Sequence, residues 1–282
     1  EIGLVDENGH VVAYKNLSTR AYPVFDMFVD TLSDEIKTII NANKDKECLG
    51  IGIGAPNANY YNGMIQEAVN LLWRGDLPLK KEVEKRTGLS TYVTNDANAA
   101  AIGEKLFGAA QGMRDFAVIT LGTGVGSGIV VNDEMVYGHD GFAGELGHII
   151  IEENGRLCNC GRYGCLETYA SVTGLVNTAR QMAENYTGNS TLKAVGKENI
   201  TGKMIGDAAR DGDELAIEIF DYTARKLGIG LANLVAITRP EAIILYGGMV
   251  KANEVLLVPT EKYMNYNECR EYKTLRDYLW RF

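Results

Sequence analysis

The sequence predicts a mixed α/β chain folded as two lobes. Two observations carry that prediction. From Ile2 to Gly54 the chain reads as strand, hairpin, helix and strand, which is the order of an α/β layer. A second pattern begins after about residue 95, with apolar strands over Phe116–Leu121 and Ala242–Tyr246 and a long helical period between them. The expected division is a smaller N-terminal lobe at 1–94 and a larger lobe at 95–282, with a cleft between them and an insertion at 144–167.

The chain opens in a strand over Ile2–Val5. Glu7-Asn8-Gly9 is a hairpin turn, and 11–14 is the returning strand. Phe25, Phe28, Val29, Leu32, Ile36, Ile39 and Ile40 recur at helical spacing, with Pro23 near the start. A strand at 49–54 ends in a glycine turn, and 57–62 is a polar loop. A helix is predicted over 79–86, a strand over Thr91–Thr94 and an alanine-rich helix over 97–106. After the buried strand Phe116–Leu121, strands at 128–131 and 135–137 flank Asn132-Asp133, a second hairpin. Residues 138–164 are glycine-rich. Helices follow over 175–183 and 215–237, and Ala242–Tyr246 ends in Gly247-Gly248.

The 282 residues are 46% hydrophobic and 23% charged, enough apolar surface for a substantial core. A net charge of -9 argues against a surface built for nucleic acid or an anionic membrane. It leaves room for a small phosphorylated ligand, because backbone amides bind phosphate without a basic protein. No apolar run has the length of a membrane span. Of five cysteines, Cys158, Cys160 and Cys165 lie within eight residues. That pattern fits a metal site in a reducing, cytoplasmic compartment better than a disulfide framework.

Three segments carry chemistry. The run 121–128 follows a strand, and its alternating glycines let backbone amides approach an anion while Thr123 and Ser127 add hydroxyls. It lacks the Lys-Ser or Lys-Thr of a Walker A loop, and a tight β-hairpin is the competing account. Asp96 stands where a strand gives way to a helix. It either caps that helix or accepts a proton from an alcohol during phosphoryl transfer. His148, Cys158, Cys160 and Cys165 supply a closed tetrahedral zinc shell, which makes the metal structural. Glu145 and Glu167 bracket that unit and suit sugar hydroxyls, while a solvated surface is the usual fate of glutamate. Gly247-Gly248 allows close approach of adenine or ribose.

Together these segments resemble the ROK family of bacterial sugar kinases and related repressors. Gly52-Ile53-Gly54-Ala55-Pro56, Asn70-Leu71-Leu72-Trp73, 95–104, 121–128, 144–167 and 245–248 run in family order. The resemblance implies the two-lobed actin-like ATPase fold and a homodimer. It implies Asp96 as catalytic base and Asn70, Asn95, Glu145, His148 and Glu167 as sugar contacts. Gly122, Thr123 and Gly124 resemble a phosphate loop, and Gly247 and Gly248 the adenosine site. His148, Cys158, Cys160 and Cys165 resemble the zinc ligands. The implied partners are a hexose and ATP with Mg²⁺, without nucleic acid or membrane.

The expected reaction is ATP-dependent phosphorylation of a hexose, glucose first, with N-acetylated hexosamines, mannose, fructose and allose behind it. A sugar-responsive repressor and an inactive sugar-binding remnant are the alternatives. Family kinases begin with a strand and an Asp-x-Gly-Gly-Thr loop, and Glu1-Ile2-Gly3-Leu4-Val5 resembles the strand after it. An upstream extension carrying that loop is therefore expected. The tail from Tyr266 does not resemble the usual closing strand and helix, and is expected to diverge from that of a working enzyme or to be disordered.

Overall fold

The computed structural model describes residues 1–68, 71–267 and 279–281. They group into two compact units. The first is Glu1–Gln111 with Tyr137–Ala143; the second is Gly112–Val136 with the chain from Gly144 onward.

In the first unit, β1 (Ile2–Val5) and β2 (Val11–Lys15) form an antiparallel ribbon. Asp6 Oδ1 closes its turn by accepting from the backbone N–H groups of Asn8 and His10, each at 2.9 Å. α1 (Phe25–Ala42) buries Val29, Ser33 and Ile36 along one stripe, as its apolar spacing requires. β3 (Ile51–Gly54) pairs in parallel with β4 (Thr91–Thr94), and α2 (Leu79–Thr87) precedes β4. α3 (Asp96–Phe107) follows β4 and packs on β3. Trp73, Leu79, Val83 and Val93 centre the core. The indole N–H of Trp73 donates to the Tyr22 carbonyl at 2.9 Å, so its one polar atom is satisfied.

The segment Tyr137–Ala143 joins this unit through specific contacts. The Tyr137 ring stacks on Tyr60 with centroids 4.3 Å apart. The Tyr61 hydroxyl donates to Gly138 O at 2.8 Å, and Asn59 Nδ2 donates to Asp140 O at 2.6 Å.

The second unit is built on a five-stranded sheet. β5 (Phe116–Leu121), β6 (Val125–Val131), β7 (Glu134–Met135), β8 (Ala242–Tyr246) and β9 (Leu279–Arg281) lie in the order β7-β6-β5-β8-β9. The β7-β6 and β6-β5 pairs are antiparallel; β5-β8 and β8-β9 are parallel. β5 and β8 are continuous apolar runs, the composition of strands covered on both faces. β6 starts at Val125, three residues before the expected strand, because its glycines pair with β5 rather than looping out. In the tail, Leu279–Arg281 is a strand beside β8.

Six helices of this unit are α4 (Glu167–Ala170), α5 (Val172–Asn185), α6 (Thr191–Ala194), α7 (Gly202–Arg210), α8 (Glu214–Thr238) and α9 (Glu254–Asn267). α8 is the spine. It buries Leu215, Ile219, Phe220, Leu227, Leu231, Leu234 and Val235 in the core and packs on α5 and α9. No helix among the described residues is long and apolar enough to cross a membrane.

Asp213 caps α8. Its carboxylate accepts from the N–H of Ala216 at 3.2 Å, from the N–H of Thr191 at 2.8 Å and from the Ser190 and Thr191 hydroxyls. Partial burial raises its pKa, and the hydrogen bonds from Thr191, Ala216 and Ser190 outweigh it, so the net shift is downward. A depressed carboxylate stabilises the fold above its unfolded pKa and loses that contribution as pH falls through the folded value. Asp213→Ala should therefore cost about 1–2 kcal/mol at neutral pH, with the difference from wild type shrinking in acid. Urea unfolding of both chains at pH 7 and pH 3 measures this, and an equal gap at both would refute the carboxylate's role.

Candidate active site and metal centre

In the first unit, the β4–α3 junction presents Asn95 and Asp96. The N-cap is Asn95, not Asp96: its side-chain oxygen accepts from Ala97 N at 2.9 Å. Asp96 is the first helical residue and exposed, and its Oδ1 shares the same N–H at 3.0 Å. A carboxylate here also sits favourably in the field of the helix N-terminus. Asn98, passed over in the sequence, is buried one residue beyond Ala97 with its Oδ1 lacking a partner, which favours a polar ligand or water nearby. Asn70 lies outside the described residues.

In the second unit, the parallel strands β5 and β8 end side by side, the edge where open α/β sheets bind ligands. Residues Gly122, Thr123 and Gly124 form the whole turn between β5 and β6, since Leu121 pairs with Val125. The segment is thus a tight hairpin with its tip exposed. Gly247, after β8, has φ +120°, and a Cβ there would lie 2.5 Å from Leu121 O. Only glycine fits, and Gly247-Gly248 consequently abuts the end of β5.

The N-terminus of α5 supports the turn. Val172 N donates to Gly122 O at 2.9 Å, and the Thr173 hydroxyl to Thr123 O at 2.8 Å. Ser171 caps the helix by accepting from Gly174 N at 3.0 Å. The sequence reading missed this mount, although Ser171 immediately before the apolar-periodic residues Val172, Leu175 and Val176 was its visible sign.

The four metal-ligand candidates come together. One ligand atom from each of His148, Cys158, Cys160 and Cys165 lies within 4.8 Å of all the others. Cys160 Sγ and Cys165 Sγ are 3.6 Å apart, and Cys158 Sγ is 3.6 Å from His148 Nδ1. A tetrahedron with zinc–sulfur bonds of about 2.3 Å has sulfurs about 3.8 Å apart, so the donor set fits the ion. Burial pushes the Cys158 and Cys165 thiols up. Burial also acts against Cys160, but hydrogen bonds from Arg162 reverse it and bring that thiol down to about 6.

Glu167 sits at the junction of these parts. Its Oε1 accepts from the Cys158 thiol at 3.0 Å and lies 3.9 Å from His148 Nδ1. Its Oε2 is 2.7 Å from where a Cβ on Gly124 would stand. Glu145 faces the opposite ring nitrogen, His148 Nε2, at 4.0 Å. The sheet-end turn, a carboxylate and the His148, Cys158, Cys160 and Cys165 cluster are therefore contiguous. Gly124→Ala should displace the Glu167 side chain with little loss of stability, because its far end can swing away. Misplacement by about 1 Å can cost up to about 100-fold in rate. A variant with wild-type melting and wild-type kcat/KM would show that Glu167 has no positional role.

The ROK family profile matches residues 1–276. A glucokinase of Halalkalibacterium halodurans is 42% identical over 80% of this chain and 70% of its own length. The crystal structure of a ROK family glucokinase from Streptomyces griseus, in complex with glucose and AMPPNP, is 36% identical. It aligns with a TM-score of 0.81 over 99% of this chain and 89% of its own. A ROK family transcriptional regulator, a homologue of the E. coli MLC protein, is 29% identical with a TM-score of 0.85, over 99% of this chain and 69% of its own. With the actin-like α/β fold these structures share, the chain belongs to the ROK family.

Proposed function

We propose that this chain transfers the γ-phosphoryl group of ATP to a hexose, with glucose as acceptor and its primary hydroxyl as the attacking group. The similarity to glucokinases over most of the chain carries the reading. Asp96 accepts the hydroxyl proton as the oxygen attacks. Asn70, Asn95, Glu145, His148 and Glu167 orient the sugar. The amides of Gly122, Thr123 and Gly124 hold phosphate, and Gly247 with Gly248 admits the adenosine. ATP enters with Mg²⁺, which neutralises phosphate charge.

His148, Cys158, Cys160 and Cys165 would hold zinc, which when bound supplies a rigid closed shell and no open coordination position. The two faces of His148 support a double role for one ring. Nδ1 is turned to Cys158 and suits the metal, while Nε2 is turned to Glu145 and suits a sugar hydroxyl. We place the reaction in the cytoplasm, where reduced thiols and ATP coexist.

A coupled ADP-release assay with glucose, N-acetylglucosamine, mannose, fructose and allose tests this. Glucose should support the highest kcat/KM. Turnover of a nucleoside or amino alcohol and of no hexose would overturn the proposal. The fold match to a transcriptional regulator favours a second reading, a sugar sensor. A sensor would release no ADP in this assay and would still bind glucose in a calorimetric titration.

A further inference from the structure

We propose that Arg156 is a positioning residue, one that fixes Glu167 and the metal loop on the same helix that carries the phosphate turn. The inference rests on the kinase reading for its sugar arm and stands independently of it for its metal arm. The loop from Ile149 to Leu166 meets the core at its ends, where Leu166 is buried in it and Ile149 and Ile151 pack against it, and its middle has little apolar cover. Ile150, Leu157 and Tyr163 are exposed, and two isolated bridges, Ile150 to Cys165 and Leu157 to Tyr163, are its β-pairing.

Arg156 plugs that loop into the scaffold. Its Nη1 donates to Thr168 O at 2.9 Å and Gly174 O at 3.2 Å. Its Nη2 donates to the Thr178 hydroxyl at 3.0 Å and to Gln181 Oε1 at 2.6 Å. The guanidinium lies 4.7 Å from the centroid of the Tyr169 ring, and its own backbone N–H donates to the Tyr169 hydroxyl at 2.7 Å. Four acceptors in a planar fork suit arginine and no other side chain.

The grip falls between functional groups. Cys158 is two residues along the loop from Arg156. Thr168, whose carbonyl it holds, follows Glu167, and both the N–H and the hydroxyl of Thr168 donate to Cys165 O. Gly174, Thr178 and Gln181 belong to α5, whose first turn holds Gly122 and Thr123. Arg156 thereby sets the distance from the Glu167 carboxylate to the phosphate turn. α5 keeps its own hold on that turn through Val172 and Thr173, so losing Arg156 should free the sugar side and spare the nucleotide side.

Arg156→Lys is the primary test. Lysine keeps the charge but replaces the fork with one nitrogen. Gln181→Leu is the second variant, since it leaves Arg156 in place and removes one acceptor on the exposed face. Glucose and AMPPNP binding are measured by calorimetry, and zinc release by transfer to a chromogenic chelator. Losing two charge-assisted hydrogen bonds should weaken glucose binding about tenfold or more and speed zinc release by a similar factor. Gln181→Leu should show the same pattern, smaller, and AMPPNP affinity should stay unchanged in both. Wild-type glucose binding and zinc release in folded Arg156→Lys would overturn the proposal. Equal weakening of glucose and AMPPNP would also overturn it, marking a purely structural residue. If the unaltered chain binds no glucose, the kinase reading fails and the zinc arm alone decides the role of Arg156. Should Arg156→Lys not fold, Gln181→Leu decides by the same criteria.

Discussion

Asp96→Asn should reduce glucose-dependent ADP release by about 10² to 10⁴-fold, the usual cost of losing a general base. The substitution is close to isosteric and local structure should survive it. Asn95 remains the N-cap, and an asparagine oxygen at position 96 can still accept from Ala97 N. The carboxylate's contribution to the field of the α3 N-terminus would go, which is worth about 0.3–1 kcal/mol. Melting should thus change little, glucose binding should hold, and turnover should collapse. That separation is what distinguishes a base from a helix-stabilising acid. If turnover stays near wild type, Asp96 is only a first-turn residue, and the proton acceptor must be sought elsewhere. If turnover and melting fall together, the effect is structural and the assignment fails as well.

Much of the fold was legible because the sequence patterns and the structural periods agree. β5 and β8 read as strands since they are short apolar runs bounded by turn residues, and both are buried in the sheet. α8 read as a helix because its apolar residues recur through seven turns. α9 was not read, and Pro259 inside it explains why: proline is a usual sign that a helix has ended. The short helices α4, α6 and α7 also escaped, being too brief or too glycine-rich at their starts for periodicity to register.

The gathering of His148, Cys158, Cys160 and Cys165 was legible from spacing alone, as three cysteines and a histidine rarely crowd together by chance. The junction role of Glu167 was not. It depends on Gly124 lying beside a carboxylate more than forty residues away, which no local pattern encodes. The same limit applies to Arg156, whose acceptors are scattered along α5. At the β4–α3 junction the sequence offered Asp96 as the cap, and only backbone geometry moved the cap to Asn95.

Cys165→Ser should empty the metal centre and weaken glucose binding about 10 to 100-fold, while leaving Asp96 and α3 untouched. Cys165 is fully buried, and it closes the loop through the bridge to Ile150. A hydroxyl there is a poor zinc ligand, and a structural zinc site needs its full set of deprotonated ligands to hold the ion. Without that anchor, the Nδ1 side of His148 is no longer fixed by the metal, and Glu167 and Glu145, which face its two nitrogens, lose a common reference. The wild-type protein offers a matching experiment. Binding requires thiolates and a neutral imidazole, so acid or a strong chelator should release the metal, and readdition at neutral pH should restore both metal and glucose affinity. The variant should not be rescued by added zinc. Elemental analysis before and after dialysis, paired with calorimetric glucose titrations, measures both quantities. Reduced, freshly purified protein that contains no zinc, or metal-free protein that binds glucose as tightly as before, would remove the metal from the sugar site altogether.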